Sequence, residues 1–368
     1  MFKICNSLIK HKIFDKIHII CIHKDNLPLK EKLKDDVEIT RLKLYGVGPN
    51  ILKHLLKYLQ YTFYVIFFTK NKNIEVVNAH SLELLPIALL VKLIKKAKVV
   101  YDTHELETER TNLKGFRKKI AKFLEKFLIK FVDYVIVVNK SIEEEYRKMY
   151  PEIAKKNKII AIYNVPPLIE VKASNIFRNK FNLKPQQKIF LYQGGFSYGR
   201  GIEKLLKVFS QLKNDNKVLV LMGYGPLERL VKEFSQKYTN IFFHPAVSSD
   251  KLLEYTASAD WGIVFFEKVS LNNFLATPNK FFEYLMADIP VIVTPLKELK
   301  YFTETYNLGI VSSGEDEKDL LKAIQKTDEI DIKLLKKNIR KFKKLYNWQN
   351  EERKLLKIYE NLLKLNKQ

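Results

Sequence analysis

The chain has 368 residues with a formal net charge of +24 at pH 7, and 46% of its residues are hydrophobic. This length exceeds one typical hydrophobic core, so we expect two domains, and the hydrophobic content excludes an intrinsically disordered chain. The longest apolar run, Tyr61–Phe68, is far shorter than the roughly 20 residues needed to cross a bilayer, which excludes a spanning helix there.

The net charge indicates attraction to an anionic partner. Three explanations are open: an anionic lipid surface, a nucleic acid, or lysines that merely solvate helix faces. The basic residues are dispersed along the chain and no nucleic-acid-binding motif is present, so we expect no nucleic-acid partner. Cys5 and Cys21 show neither metal-site nor disulfide spacing, which is typical of a reducing, cytoplasmic environment.

Strand and helix patterns alternate in the first part of the chain. In order, the apolar periodicity predicts a helix at Phe2–Ile9, strands at Lys16–His23 and Val37–Tyr45, a helix at Ile51–Lys70, a strand at Ile74–His80, a helix at Leu84–Lys95 and a strand at Lys98–Glu105. This alternation is typical of an α/β domain with a parallel sheet. Such a domain normally opens with a strand and a glycine-rich turn, and neither precedes the first predicted helix.

Two of the predicted strands end in polar clusters. His80 closes one strand, and Asp102, His104 and Glu105 close the next. Because parallel strands end at the same sheet edge, we expect these side chains to meet in a cleft. A single histidine is more often structural, but two at adjacent strand ends favour a site for a hydroxyl-rich ligand, since neutral imidazole both donates and accepts.

Residues Phe116–Phe131 show the clearest helical periodicity. The apolar face consists of Phe116, Ile120, Phe123, Leu124, Phe127, Leu128 and Phe131, and a row of lysines lies beside it, Lys118, Lys122, Lys126 and Lys130. Either the helix packs its apolar face on the sheet with solvated lysines, or it lies on an anionic membrane surface. Both hold if the apolar face packs inward and the lysine row meets lipid head groups.

The first domain is predicted to end near Val165. Strands at Val132–Asn139 and Lys158–Asn164 complete it as residues 1–165. Pro166 and Pro167 disfavour helix and sheet alike, so a linker is predicted at 166–172. The second domain then covers 173–345, and residues 346–368 form a C-terminal helix that opens at Trp348.

The second domain opens with a strand at Lys188–Tyr192 and two glycine-rich turns. The first turn contains Gly194 and Gly195 and leads to Arg200 before a helix start, and the second is Gly223-Tyr224-Gly225. Backbone N–H groups in such turns can approach phosphate closely, and Arg suits bidentate phosphate contact. His244, near the end of the strand at Asn240–Val247, is expected to be a packed residue rather than a ligand.

The stretch from Asn273 to Pro290 links two apolar strands, Asp260–Phe266 and Pro290–Thr294. Pro278 fits the first turn of a helix. Lys280 and Glu283 lie three residues apart on a polar face, beside an apolar stripe. As a crossover between parallel strands, this helix directs its N-terminus to the carboxyl edge of the sheet, where anions bind.

The run from Pro278 to Tyr284, Pro-Asn-Lys-Phe-Phe-Glu-Tyr, resembles the donor-site helix of family 4 nucleotide-sugar glycosyltransferases, also described as glycosyl transferases group 1. The resemblance implies an α/β GT-B fold: two facing Rossmann-like domains with parallel sheets, and a C-terminal helix that crosses back to the first domain. It is strongest from Lys188 to Thr294 and looser before Val165. It also implies that residues 1–10 match the family's first helix, so that the family's first strand lies outside this sequence.

The resemblance further implies roles for the candidate residues. His104 lies beside the transferred sugar, and Arg200 and Lys280 stabilise the departing diphosphate. Glu283 holds the donor ribose, within a donor-binding set of Gly194, Gly195, Gly223, Tyr224, Gly225, Val247, Thr277, Pro278, Asn279 and Glu283. We assign His80, Asp102 and Glu105 to the acceptor side, and Lys118, Lys122, Lys126 and Lys130 to a membrane surface.

Three positions depart from the family pattern. Leu275 stands where many members have a second Glu, Asp288 where they usually have Gly, and Phe196 where a basic residue often follows the first glycine. We therefore expect the ribose contact to be retained, and the contacts to the sugar and to one phosphate to differ.

Residues and resemblance together predict a retaining hexosyltransferase. It would move a hexosyl group from a nucleotide-diphosphate sugar to a glycan or lipid-linked acceptor in cell-surface polysaccharide synthesis, with no cofactor and no metal. The expected location is the cytoplasm, peripheral on the inner face of the membrane. The alternatives are a nucleotide-sugar 2-epimerase of GT-B type, a non-catalytic glycosyltransferase-like subunit and, in a different class, a basic nucleic-acid-binding protein.

Overall fold

The computed structural model describes residues 2–24, 26–34, 36–45, 51–110, 113–212 and 216–364. The chain folds into two α/β halves built mainly on parallel strands. Within the described ranges, every helix is too short or too polar to cross a bilayer.

The N-terminal half contains two sheets. Its strands are β1 (Ile17–Ile22), β2 (Lys30–Lys34), β3 (Val37–Leu42), β4 (Val76–Ala79), β5 (Lys98–Asp102), β6 (Tyr134–Val137) and β7 (Ile159–Ala161). The first sheet has the order β1-β3-β2, and the second is parallel with the order β4-β5-β6-β7. The helices are α1 (Phe2–Lys10), α2 (Ile51–Thr69), α3 (Leu85–Lys95), α4 (Gly115–Leu128), α5 (Lys140–Met149) and α6 (Pro151–Ala154).

The C-terminal half is built on one six-stranded parallel sheet. Its strands are β8 (Lys188–Gly195), β9 (Lys217–Tyr224), β10 (Ile241–Pro245), β11 (Trp261–Val264), β12 (Val291–Val293) and β13 (Gly309–Val311), in the order β10-β9-β8-β11-β12-β13. The helices are α7 (Ile176–Phe181), α8 (Ile202–Gln211), α9 (Glu228–Lys237), α10 (Leu252–Thr256), α11 (Leu271–Leu275), α12 (Asn279–Met286), α13 (Lys297–Tyr306), α14 (Glu317–Lys326), α15 (Ile332–Leu345) and α16 (Trp348–Lys364).

This strand order places a binding crevice. The chain runs outward from β8 to β10 and then returns to β11 on the other side of β8, so the direction reverses at the carboxyl ends of β8 and β11. Alternate residues of β8 enter different cores: Ile189 and Leu191 pack on one face of the sheet, and Phe190 and Tyr192 pack on the other. The sheet is therefore buried on both faces, and ligands can reach it only at its edge.

The last helix, α16, packs on the N-terminal half, as predicted. Leu355 and Ile358 share a core with Leu8 and Val100. The Trp348 indole donates a hydrogen bond to Ser7 Oγ at 3.0 Å. The crossing helix thus fixes α1 beside the opening of the crevice.

Several elements differ from the predicted ones. β2 is a lysine-rich edge strand that runs antiparallel to β3. Charged side chains protect an exposed edge strand from pairing with other chains. β2 was not predicted from the sequence, because it lacks the alternation of apolar and polar residues. α5 and α13 were not predicted. β8 continues through Gly194 and Gly195, which were predicted as a turn, because they pair with Gly223 and Tyr224 of β9. The predicted C-terminal helix covered residues 346–368, of which 365–368 lie outside the described residues.

Helix α4 lies with most of its apolar side outward, so of the alternatives drawn from the sequence, those in which this face packs inward are wrong. Phe116 and Phe123 are each 75% exposed, whereas Glu125 is fully buried. The Glu125 carboxylate accepts hydrogen bonds from the hydroxyls of Tyr101 and Tyr146 at 2.8 Å and of Tyr150 at 2.6 Å. A buried carboxylate satisfied by three donors therefore orients the helix.

Candidate active site

A cavity of about 860 Å³ lies between the two halves. It is bounded by the end of β5 on one side and by the end of β8 and the start of α12 on the other. The predicted site residues that line it are Asp102, His104, Glu105, Gly194, Arg200, Thr277, Pro278, Asn279, Lys280 and Glu283. Residues from distant parts of the sequence, predicted on both domains, thus meet around one cavity.

Lys280 is a buried cation at the base of this cavity. Its side chain is 5% exposed, and its Nζ forms no hydrogen bond with any described residue. The Nζ lies 3.4 Å from the ring centroid of Tyr192. Burial lowers the Lys280 pKa well below its usual value, the like charge of Arg200 lowers it further, and Glu283 opposes the shift. A buried cation in this state is stabilised by a bound anion.

Glu283 lies one turn further along α12 and is oriented by Gln193. The Gln193 Nε2 donates to Glu283 Oε2 at 2.7 Å. Thr256 Oγ1 lies 2.8 Å from Gln193 Oε1 and 2.7 Å from the Leu252 carbonyl oxygen, and its single proton serves one of these two acceptors. Because an ionised carboxylate only accepts hydrogen bonds, the Gln193 amide turns its N–H groups toward Glu283. Burial raises the Glu283 pKa. Oε1 of Glu283 accepts no hydrogen bond within the described residues, so it can accept one from a ligand hydroxyl.

Arg200 precedes the N-terminus of α8 and approaches the same region. Its guanidinium lies 5.1 Å from the ring centroid of Phe266. Gly201, at the helix cap, has φ 69°, and a Cβ added there would lie 2.4 Å from the Phe265 carbonyl oxygen. Only glycine fits this turn, which holds Arg200 at the rim of the cavity.

The N-terminal side of the cavity holds a compact His–Asp–His cluster. His80 Nδ1 lies 3.2 Å from His104 Nε2 and 3.2 Å from Asp102 Oδ2. Burial lowers the His104 pKa, while the Asp102 carboxylate opposes the shift. A neutral His104 can both donate and accept hydrogen bonds. One ligand atom from each of the three residues lies within 4.8 Å of the others, so the cluster could also ligate a divalent cation.

Some predicted site residues lie away from the cavity lining. His80 does not line the cavity, but its ring contacts the ring of His104, which does. Gly195, Gly223, Tyr224 and Gly225 form the adjoining strand ends and turn, and Val247 packs against the core of the C-terminal half. Gly223 adjoins Gly194 so closely that an added Cβ would lie 1.9 Å from the Gly194 carbonyl oxygen. These glycines permit the close approach of two strands beside the site.

Other lining residues escaped the prediction. Lys3 Nζ donates to Asn164 Oδ1 at 2.9 Å and to the Val165 carbonyl at 2.6 Å, and burial lowers the Lys3 pKa to about 8. Arg110 Nη2 lies 2.7 Å from Glu107 Oε1. Nothing in the local pattern marks Lys3, because only the crossing of α16 brings α1 to the crevice. Arg110 could have been predicted, because it is a basic residue only six positions after the predicted site residue His104.

Two of the three positions that depart from the family pattern, Leu275 and Asp288, have structural explanations. Leu275 is 2% exposed and packs in the core of the N-terminal half, so it joins the halves instead of facing the cavity. Asp288 has φ 60°, the left-handed conformation expected at this helix end, and its carboxylate lies 2.7 Å from Lys343 Nζ. Pro278 is at the N-cap, one position before the predicted first turn.

Comparisons with known proteins agree with this architecture. The family described as Glycosyltransferase Family 4 matches residues 10–165, and the family described as Glycosyl transferases group 1 matches residues 173–344. The chain is similar to chitobiosyldiphosphodolichol beta-mannosyltransferase of Kluyveromyces lactis, with 24% identity over 237 residues, which are 54% of this chain and 51% of that protein. The match thus spans about half the length of this relative.

Solved structures match over nearly the whole chain. Sucrose-phosphate synthase from Thermosynechococcus elongatus has a TM-score of 0.77 at 18% identity, covering 99% of this chain and 92% of its own. A glycosyltransferase from Rickettsia africae ESF-5 has a TM-score of 0.73 at 16% identity, covering 99% and 94%. Anabaena HepE in complex with UDP has a TM-score of 0.63 at 13% identity, covering 90% and 86%. Since both halves match the family and the whole chain has the corresponding fold, the protein belongs to the family 4 GT-B glycosyltransferases.

Proposed function

We propose that this protein is a retaining hexosyltransferase that uses a nucleotide-diphosphate sugar and a glycan or lipid-linked acceptor in cell-surface polysaccharide synthesis. The observation that carries the proposal is the buried Lys280 ammonium, which has no hydrogen-bond partner among the described residues. It lies beside Arg200 and Gly194, where a diphosphate would neutralise it. A buried charge of this kind is costly in the empty protein, and anion binding offsets the cost.

The donor is positioned by groups at the start of α12. Glu283, oriented by Gln193, accepts hydrogen bonds from the ribose hydroxyls. Lys280, Arg200 and the N-terminus of α12 contact the diphosphate. As the glycosidic bond breaks, negative charge builds on the leaving diphosphate, and these fixed positive groups stabilise it in the transition state.

The sugar and the acceptor occupy the side of the cavity formed by the N-terminal half. His104 hydrogen-bonds to hydroxyls of the transferred hexose, and Asp102 and Glu105 face the acceptor. Closure of the two halves over the bound donor excludes water, which favours transfer over hydrolysis. Retention of anomeric configuration is the outcome that the family resemblance implies.

The comparisons guide the choice of donors to test. HepE was solved with UDP, and the Kluyveromyces lactis relative is named a mannosyltransferase. A thermal-shift screen would therefore begin with UDP- and GDP-linked hexoses, because a bound ligand raises apparent stability by mass action.

We further propose peripheral association with the inner face of an anionic membrane through α4. Lys118 and Lys122 both pair with Glu109, and Lys130 lies 3.5 Å from Glu152. Lys126 forms no ion pair with the described residues. The exposed apolar side chains of α4 and its lysines could thus meet lipid tails and head groups together.

The decisive test compares Glu283→Ala and Arg200→Ala with the wild-type protein in sugar-nucleotide hydrolysis and transfer. We expect each change to lower kcat/KM by about 10²-fold or more, because each removes a charged group facing the donor. Matched controls are Glu304→Ala and Arg229→Ala, both exposed on the C-terminal half.

Unchanged activity in both site variants would refute the assigned site. Products formed without any acceptor distinguish the alternatives: free sugar or no product agrees with a transferase, whereas a 2-epimerised sugar indicates an epimerase. The anomeric configuration of the transferred product, followed by NMR, decides retention.

A further inference from the structure

A second cavity, of about 540 Å³, lies between α3, α4 and the loop before β7. We call it the α3–α4 groove. Its apolar lining consists of Leu89, Leu93, Phe127, Leu128, Phe131, Val132 and Ile153. It adjoins the segments that precede β6 and β7, at the amino ends of the strands, and is therefore separate from the cavity at their carboxyl ends.

The groove opens onto a surface with several exposed apolar side chains. Leu93 is 79% exposed, Phe127 55% and Phe131 50%. Next to the groove, Ile94 of α3 and Phe123 of α4 are 54% and 75% exposed. Contiguous exposed apolar surface of this kind marks a binding surface for another apolar partner.

Lysines surround this apolar groove. Lys92, Lys130, Lys156 and Lys158 line it with only two acids, Asp133 and Glu152, which leaves a net charge of +2. Lys92 Nζ is bound to Asp133 Oδ2 at 2.6 Å, whereas Lys156 and Lys158 form no ion pair with the described residues. Burial lowers the Lys158 pKa, the nearby Asp133 carboxylate opposes the shift, and repulsion from Lys156, Lys92 and Lys98 adds to it. An anion placed beside Lys158 would relieve this repulsion.

We infer that the α3–α4 groove is a binding site for a single anionic phospholipid, with an acyl chain between α3 and α4 and the phosphate at Lys156 and Lys158. The site deepens the membrane association proposed above, on which it rests, by adding a specific lipid to a general surface contact. A second copy of this chain fits poorly, because symmetric pairing would bring like-charged lysines together. An amphiphile with an anionic head matches both the charge and the apolar lining.

Short-chain lipid below its micelle concentration tests the groove without a membrane. We expect short-chain phosphatidylglycerol to raise the melting temperature of the wild-type protein, and expect no rise from short-chain phosphatidylcholine or from glycerol 3-phosphate. The groove variant Lys130→Glu/Lys156→Glu should lose the effect, and so should Leu93→Asp. These positions are exposed, so the variants should fold.

Two variants with the same charge change serve as controls. Lys119→Glu/Lys126→Glu alters α4 outside the groove, and Lys337→Glu/Lys344→Glu alters the exposed side of α15. Both should keep the response to short-chain phosphatidylglycerol. An equal response in the groove variant, or an equal response of the wild type to phosphatidylcholine or glycerol 3-phosphate alone, would overturn the lipid site.

Vesicle flotation separates this inference from the proposals on which it rests. Wild-type protein should bind phosphatidylglycerol vesicles at least tenfold more tightly than phosphatidylcholine vesicles, and the groove and α4 variants should both bind more weakly than the α15 control. Vesicle binding without any response to short-chain lipid would overturn the groove and leave the membrane surface in place. Absence of vesicle binding would overturn both, while sugar-nucleotide hydrolysis would still report on the donor site.

Discussion

At the scale of single residues, Lys280 shows how a side chain of the candidate site can lower the folding stability of the ligand-free protein. Its ammonium is buried and lies against the Tyr192 ring, without a hydrogen-bond partner among the described residues. Burying a charge without a partner costs folding free energy, so an apolar side chain of similar shape at that position should stabilise the ligand-free protein. The same side chain should therefore oppose folding and support donor binding.

We predict that Lys280→Met raises the free energy of unfolding of the ligand-free protein by about 1 kcal/mol. It should also lower kcat/KM by about 10²-fold, because the diphosphate loses a cationic contact. Urea denaturation and steady-state kinetics measure the two effects. Lys326→Met, at an exposed position of α14, should change neither.

The pH dependence gives a further check on Lys280. Its folded-state pKa is depressed by burial, so between that pKa and the unfolded value near 10.4 the unfolded chain binds more protons. Rising pH in this window therefore stabilises the wild-type protein relative to Lys280→Met, and the difference between their free energies of unfolding should become smaller. If the difference in free energy of unfolding did not depend on pH, Lys280 would not be an unfavourably buried cation.

At the scale of elements, α4 demonstrates that an apolar periodicity does not decide which face of a helix is buried. The periodicity of Phe116–Phe131 correctly predicted a helix. Its orientation depends on Glu125, which is satisfied by Tyr101, Tyr146 and Tyr150. These tyrosines come from β5, α5 and the residue that follows α5, so no window along α4 contains the information.

We predict that Glu125→Ala destabilises the protein by roughly 3 kcal/mol or more, because three buried hydroxyls lose their acceptor. Glu125→Gln should cost less, since an amide oxygen still accepts. Denaturation by urea measures the free energies, and hydrogen exchange should show earlier opening of α4. The exposed Glu329→Ala serves as control, and an equally small effect of Glu125→Ala would refute this anchoring role.

At the scale of the whole molecule, the two halves are joined by polar contacts and by two neighbouring segments in which the chain passes from one half to the other. These segments are the linker at 166–172 and the start of α16. Glu298 of α13 accepts hydrogen bonds from the Ser141 N–H at 2.7 Å and from the Tyr163 hydroxyl at 3.0 Å. The backbone N–H of Trp348 donates a hydrogen bond to the Pro166 carbonyl at 2.9 Å, and this bond connects the start of α16 to the linker. Adjacent crossings of this kind allow rotation about a hinge, as domain closure requires.

We predict that Glu298→Ala favours an open arrangement of the halves. The change leaves the Tyr163 hydroxyl and the Ser141 N–H without their buried acceptor, at a cost of about 3 kcal/mol to the closed form. Small-angle X-ray scattering should show a larger radius of gyration, and transfer should slow more than donor binding weakens. Glu304→Ala, on an exposed part of the same helix, should behave as wild type; an unchanged radius in Glu298→Ala would contradict the closure role.

The candidate site was predictable in part for a physical reason. Lys280 and Glu283 lie within one helical turn, and Asp102 and His104 lie at one strand end, so local spacing already places each pair together. Lys3 was missed because it reaches the cavity only through the packing of α1 against α16. Gln193 was missed because its side chain is placed by contacts with Glu283 and Thr256, which lie on other elements.

The sequence by itself determined most of the strands and helices and the position of α12, since periodicities of 2 and 3.6 residues act over short stretches. Only the tertiary structure decided that Lys280 is buried, that α4 turns its phenylalanines outward and that residues of both halves share one cavity. Those outcomes depend on whether polar groups find partners on other helices and strands, and such pairings exist only once the chain has folded.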